Sequence, residues 1–549
     1  MSQENSSKRV LVVTYNFPPV GGAGVQRVTK FVKYLPQFGW EPTVLTTENP
    51  SVPVLDESLL ADIPPQTVVV KARTLEPGYA LKRFVSGGNE ALAVKQAKSS
   101  LECDDSSSLS LLSRACQLAQ KLTDYIRHRG KEGGNEFPHS KGSLSSGPTG
   151  RTTVAAKSFV KRTLRGAANV LLQPDPQVLW NSQAIEAGLR ALGQRKHDAI
   201  FVTAPPFSSF LIGAELARRT GLPLVLDYRD EWSISNSYLE NKRLGWLSRT
   251  WQQHQQSLVV RAASALIATT RHSAESLQEV ARAASCRPLV THIYNGFDSA
   301  DFHDGTAPLP DPLLDASGDS TQPYKLAYIG TLWNLTSVEP VVRAVRLLAE
   351  QSPDLASRLE LHFVGRRTAA QDEWLDQLGP LPCRVVRQPY LDHNAALKLM
   401  RSADGLCLLL SDLPEAGRVV PAKLFEYLAV RRPIFAIVPP GEVSSMVQDC
   451  PFAFVHSPSD IAGLCRRLGD EIERHRLGIS MPTGLWDASH FERRRQAEQL
   501  ANLLNQVVSS MAPIFYPPFF ADRSFSDEGR KSAIHREQTT KITDELQPT

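Results

Sequence analysis

The sequence predicts an α/β protein of two tandem domains, each a doubly wound parallel sheet. Three observations carry that expectation. Short runs rich in β-branched residues alternate with amphipathic helical windows along most of the 549 residues. The alternation breaks twice, at a Ser/Gly-rich stretch and at a Pro/Asp/Gly-rich one, and resumes after each. At about 150 residues per domain the length allows two to four domains. The composition, 42% hydrophobic and 21% charged, is that of a globular protein and excludes a disordered chain or a fibrous rod.

In the first half, strands are expected at 9–15, 42–47, 66–71, 198–203, 222–227, 264–269 and 288–293, separated by helical windows such as 208–219 and 247–262. Together they make an N-terminal domain over 1–302, with an insertion at about 75–178. There SSLECDDSSSLSLLS and GGNEFPHSKGSLSSGPTG carry no core pattern. The insertion also gathers charge: from Lys121 to Leu172 there are ten Lys or Arg and three Asp or Glu, although the whole chain carries only +4. Val160, Leu164, Ala167 and Leu171 recur at helical spacing beside Lys157, Lys161, Arg162 and Arg165. Residues 151–172 therefore read either as a basic amphipathic helix for an anionic membrane surface or as a helix packed on its own domain with a solvated basic edge. Interleaved aromatics are missing from it, so nucleic acid is not an expected partner.

The segment 303–323, HDGTAPLPDPLLDASGDSTQP, is the expected linker. The second domain, 324–487, has strands at 324–329, 358–364, 383–387, 405–410, 433–438 and 452–456, and a last helix covers 488–510. Residues 511–549 open with a Pro/aromatic patch, continue as a polar end, and are expected to be a disordered tail. No apolar run approaches the roughly 18 to 20 residues of a membrane span. Seven scattered cysteines without CxxC spacing argue against a disulfide framework or a structural zinc site. MSQENSSKRV lacks the apolar core of a signal peptide. The expected location is cytoplasmic, peripheral on the inner membrane face if the basic helix binds there.

Three places pair strand ends with chemistry. After the first strand, NFPPVGGAGVQR exposes glycine N–H groups at a helix start, a ready anion site and equally a tight strand–helix turn. It is neither a Walker loop nor GxGxxG, because the last glycine position is Arg27. LDYRDEW (226–232) puts three acids, an arginine and two aromatics at a strand end, where they face sugar hydroxyls or form a structural Arg–Asp pair with Trp232 as packing. Upstream, Ser208 in APPFSS is placed to cap the helix that follows. In the second domain, Pro421 suits a first helical turn, and Lys423 and Glu426 share a face. A lysine at a helix N-terminus opposes the dipole, so a nearby anion would rationalise it. A surface ion pair is the competing reading.

The ordered set formed by the opening LVVTYNFPPVGGAGVQRVTKF, PDPQVLW (174–180), APPFSS (204–209), LDYRDEW, YNGFD (294–298), YIGTLW (328–333), HFVGRR (362–367) and KLFEYLAVRRPI resembles the family 4 glycosyltransferases of GT-B fold, in particular members that build cell-surface polysaccharides. The resemblance covers roughly 9–47 and 173–505. It implies two Rossmann-like domains across a cleft, the second holding a nucleotide-diphosphate sugar and the first an acceptor, either a glycan or a lipid-linked one. The last helix would cross back to the first domain. Transfer would retain anomeric configuration, with no resident metal or cofactor.

Carried over by position, Glu426 would bind the donor ribose, and Lys423 would neutralise the diphosphate and assist its departure. Gly22 and Gly24 would lie against the phosphates, while Gly330 and Thr331 would close the site. Asp230 would be an acceptor contact or base, with Asp227, Arg229 and Trp232 beside it on the acceptor side. Two positions depart from the family pattern. Many members carry an acid eight residues before the ribose glutamate; here that residue is Arg418, with Glu415 three residues further upstream. The Arg/Lys pair that many members use on the diphosphate is also missing after Gly330. These departures leave room for a binding protein that lost turnover, and the fold for a sugar-nucleotide epimerase.

Overall fold

The computed structural model describes residues 7–52, 55–76, 172–232, 246–302, 322–479 and 486–510. The chain through Ala512 forms one compact unit; residues 513–549 form a second and lie outside the described residues. Most of the expected 75–178 insertion, all of 151–172 except Leu172, and most of the 303–323 linker lie outside them too.

The N-terminal half is a seven-stranded parallel sheet. Its strands are β1 (Lys8–Val13), β2 (Trp40–Thr47), β3 (Val68–Ala72), β4 (Ala199–Ala204), β5 (Leu224–Tyr228), β6 (Ala265–Ala268) and β7 (Leu289–His292), in the order β3-β2-β1-β4-β5-β6-β7. Helices α1 (Ala23–Tyr34), α2 (Asn181–Gln194), α3 (Ser208–Thr220), α4 (Trp246–Ala262) and α5 (Arg271–Ala283) run between them. Every residue of β4, β5 and β6 is buried, as a parallel sheet covered on both faces requires, and such strands read as unbroken apolar runs.

The C-terminal half repeats the plan with six strands: β8 (Tyr324–Ile329), β9 (Leu359–Val364), β10 (Arg384–Gln388), β11 (Gly405–Leu409), β12 (Ile434–Ile437) and β13 (Ala453–His456), in the order β10-β9-β8-β11-β12-β13. Its helices are α6 (Glu339–Gln351), α7 (Pro353–Ser357), α8 (Ala369–Asp376), α9 (His393–Ser402), α10 (Lys423–Val430), α11 (Glu442–Met446) and α12 (Ile461–Arg476). In both sheets the order reverses beside the first strand, between β1 and β4 and between β8 and β11. Crevices for ligands form at the carboxyl ends of such switch points.

The last helix, α13 (Arg493–Ser509), packs back on the N-terminal half: Ala497, Leu500, Ala501 and Leu504 join Val28, Phe31 and Val32 of α1 in one core. Two crossings therefore run side by side. Phe297 donates its N–H to the Phe491 carbonyl and accepts from Arg493 N–H. A Cβ on Gly296 would stand 1.9 Å from the Phe491 oxygen, so the glycine of YNGFD is what lets the two crossings touch.

Candidate functional site

Gly22 closes the loop after β1 with φ +105 and open space where a side chain would be, and α1 starts on the next residue. Asp56 holds this loop through its N–H on the Pro19 carbonyl at 2.7 Å, and Val20 forms a bridge to Leu55. Beneath the first turn lies the Arg229 guanidinium, 3.7 Å from where a Gly24 Cβ would sit. Arg229 donates to Thr203 Oγ1 and to the Pro205 carbonyl. It therefore adds a buried positive charge to the glycine loop instead of standing apart on the acceptor side.

For Asp227 and Trp232 the structure takes the second of the two readings, a structural Arg–Asp pair with Trp232 as packing, and not a place on the acceptor side. Asp227 is fully buried, gripped by the Arg27 guanidinium at 2.8 Å and by Thr203 Oγ1 at 2.8 Å, and Arg27 also reaches the Tyr294 carbonyl. Its carboxylate is committed to a structural pair and offers nothing to an acceptor. Trp232 is buried and stacks on Phe207, with ring centroids 4.6 Å apart, as packing. Asp230 differs from both, being half-buried and accepting no hydrogen bond among the described residues. Burial raises its carboxyl above the ordinary range; Arg229 opposes the shift and Asp227 adds to it. Ser208 does not cap α3 either. Its N–H is received by Asp175, at 3.0 Å, from the PDPQVLW segment.

Across the junction, Lys423 and Glu426 begin α10 and pair with each other at 2.7 Å. They do not stand on an open surface. Glu426 is 13% exposed, and one of its oxygens lies 4.0 Å from His393 Nδ1. His393 in turn faces Asp301 through Nε2 at 3.1 Å and donates its N–H to Asp56, the residue that holds the glycine loop. Tyr390, just upstream, is influenced by Asp56, Asp392 and the Gly22 N–H: burial and the two carboxylates raise its phenol, and the amide opposes them. The Gly22 loop and the Lys423–Glu426 pair thus meet at one place, joined by a histidine that the sequence reading missed. Its local signal is only Asp392 capping an amphipathic helix; its partners are tertiary. Gly330 and Thr331 follow β8 on the same side, where Tyr427 on α10 receives the Ile329 N–H.

Arg493, at the start of α13, is a second missed residue. Burial pushes its guanidinium down to about 9, Arg27 adds to the shift, and Glu426, Asp298 and Asp301 oppose it. Asp62, Asp298 and Asp301 converge closely enough to hold a cation, but the Lys30 ammonium contacts all three and Lys33 contacts two. A metal would have to displace an ammonium already in place.

Arg418 turns toward the N-terminal half, lying 3.4 Å from buried Glu231 and 3.8 Å from Glu415. Glu231 is held by Ser273 and Ser276. Nearby, Glu442 at the start of α11 crosses to α5, accepting from the Arg271 N–H at 3.2 Å, from His272 and from Tyr294 Oη. A recess of about 630 Å³ lies here between the halves, lined by His272, Glu415, Gly417, Arg418 and Gly441. That volume lies in the range of ligand pockets.

Residues 149–296 match the family model described as a Glycosyl transferase 4-like domain. Among solved structures, sucrose-phosphate synthase from Thermosynechococcus elongatus superposes with a TM-score of 0.50 at 13% identity, covering 92% of this chain and 100% of that one. HepE from Anabaena, in complex with UDP and glucose, reaches 0.49 at 13% identity over 91% and 100%. No curated protein is significantly similar to the chain. The expected resemblance is met as a likeness: residues 149–296 are similar to the glycosyltransferase 4-like domain, and the two-sheet architecture is the GT-B fold.

Proposed function

We propose that the protein is a glycosyltransferase that moves a sugar from a nucleotide-diphosphate donor to a glycan or lipid-linked acceptor, with retention and without a resident metal. One observation supports this most: the Lys423–Glu426 pair and the Gly22 loop, on opposite halves, converge through His393 and Asp56. In this reading a donor parts the ion pair. The Glu426 carboxylate accepts hydrogen bonds from the two ribose hydroxyls, and the freed Lys423 ammonium moves to the diphosphate. Negative charge develops on the phosphates as the glycosyl bond breaks. Lys423, the Gly22 and Gly24 amides at the N-terminus of α1, and Arg229 beneath them stabilise it in place. Gly330 and Thr331 close the rear wall. Asp230, with its raised carboxyl and no hydrogen-bond partner among the described residues, is the group suited to receive the acceptor proton or to orient its hydroxyl.

Thermal unfolding with a panel of UDP- and GDP-sugars tests the reading. One donor at a hundredfold excess over its Kd stabilises the wild type by about 2.7 kcal/mol, and Glu426→Ala loses most of that shift together with donor hydrolysis. No response to any nucleotide sugar, with Glu426→Ala behaving as wild type, overturns it. Arg418, in place of the family's acid and tied to Glu231, favours a second reading: donor binding without turnover. Product formed on acceptor extracts dismisses that alternative.

A further inference from the structure

The groove between the edge strand β7 and helix α13 is lined by neither Lys423 nor Glu426 and has no part in the proposed transfer. It encloses about 570 Å³, a size that suits a ligand. Its floor is apolar, with Ile293 and Leu503, and one wall is a row of amides from α13: Gln496, Gln499, Asn502 and Gln506. Their spacing of three, three and four puts them on one helix face. Gln496 is committed, donating to the Asn295 and Phe491 carbonyls and accepting from Arg493. The side chains of Gln499, Asn502 and Gln506 are exposed, and their amides make no hydrogen bond among the described residues; the Gln506 main-chain carbonyl accepts from Ser510. At the head of the groove, His292 meets Tyr294 edge to face with centroids 4.9 Å apart, and Tyr294 bonds Glu442 at the junction of the halves.

None of the residues lining this groove is Asp, Glu, Lys or Arg; its titratable side chains are Tyr294 and two histidines, His292 and His490. An ionic ligand would lose its hydration here and find no counter-charge. An amide offers both donors and an acceptor, the complement of a hydroxyl that does both, while the paired rings offer a face to the apolar side of a sugar. We infer that the β7–α13 groove binds an uncharged glycan segment. This goes beyond the cleft chemistry and rests on the glycosyltransferase reading only for the origin of the ligand: a chain leaving the junction at Tyr294 would continue along α13.

His292 supports the neutrality of the groove. Burial and Arg271 lower its imidazole below the ordinary range, against Glu442. An extended peptide added to the sheet edge is the competing occupant. In β7, Leu289 and Ile293 direct their N–H groups to β6, which leaves the backbone of Val290 and His292 facing outward. Two residues give an added strand few ladder bonds, whereas the wall opposite offers three uncommitted amides, Gln499, Asn502 and Gln506.

The full chain is titrated by calorimetry with the neutral hexasaccharides of maltose, laminarin and mannan type, with hexagalacturonate, and with an alternating Thr/Val hexapeptide. At least one neutral hexasaccharide binds the wild type, and Gln499→Ala/Gln506→Ala binds it about tenfold more weakly through the loss of two hydrogen bonds. The double variant keeps whatever thermal shift a nucleotide sugar gives the wild type. The inference is overturned if no neutral oligosaccharide binds, if the double variant binds as the wild type does, or if hexagalacturonate or the peptide binds instead. Oligosaccharide binding without any nucleotide response would sink the transferase reading and leave the groove standing; the reverse pattern would do the opposite.

Discussion

Arg27 is the residue that breaks the dinucleotide fingerprint, and it explains why the first strand end of LDYRDEW is closed to substrate. Glycine at that position would bring helix and strand together; an arginine there instead spans to Asp227, with both side chains essentially out of solvent. Removing one partner of such a pair leaves an uncompensated buried charge. Asp227→Ala is therefore expected to cost about 3–5 kcal/mol in urea denaturation, with most of it recovered when Arg27→Met is added. A loss under about 1 kcal/mol, the range of exposed ion pairs, would show that water reaches the guanidinium. The sequence displayed both residues but not their pairing, because they lie 200 positions apart. Asp230 could be singled out by its place after a buried strand. Its difference from Asp227 depends on which carboxylate meets Arg27, a tertiary fact. His393 was silent for the same reason.

All thirteen strands of the described residues fall within about two residues of the expected runs; the central ones, β4, β5, β6, β11 and β12, are buried throughout and read as unbroken apolar segments, while the edge strands β3, β7, β10 and β13 are only partly buried. Helix boundaries were less legible. The α3 cap comes from Asp175, 33 residues upstream, which no local pattern encodes, and the last helix begins at Arg493 after a short 3₁₀ turn instead of at 488. The YNGFD segment was visible as a motif, yet its glycine became intelligible only when the second crossing lay against it. Gly296→Ala brings a methyl first against backbone, the Phe491 carbonyl oxygen, and then against the buried Gln496 side chain. The two crossings must part, weakening the Phe297–Phe491 and Arg493–Phe297 hydrogen bonds. Overpacking of this kind costs about 1–3 kcal/mol. Hydrogen exchange should show it as faster exchange at Phe297 and Arg493 with the sheet amides unchanged. Unchanged exchange at those two amides would mean that the crossings are not in contact.

At the scale of the molecule, the halves are joined by polar contacts whose carboxylates share one electrostatic feature. Burial alone would raise Glu442, but hydrogen bonds from Tyr294, His272 and the Arg271 amide outweigh it and hold the carboxyl below its usual range. Asp301, which reaches across to His393, behaves alike, burial being outweighed by His393 and then Lys30; Asp298, held by Lys30, Lys33 and Tyr34 within the N-terminal half, is lowered in the same way chiefly by Lys30. A carboxyl lowered by folding stabilises fully above its unfolded value of roughly 4 and loses that contribution as pH falls toward the folded value. Cohesion between the halves should therefore hold from pH 7 to about 5 and decline below it, read as a falling urea midpoint. Glu442→Gln keeps the shape and removes one titrating group. The variant is less stable than wild type at pH 7, and the gap narrows as the pH drops below about 4.5, where the wild-type carboxyl begins to protonate in the unfolded chain. Parallel decline of the two proteins across that range would mean that Glu442 does not titrate with unfolding. The junction would then owe its cohesion to apolar contact at Tyr294, Phe425 and Phe491.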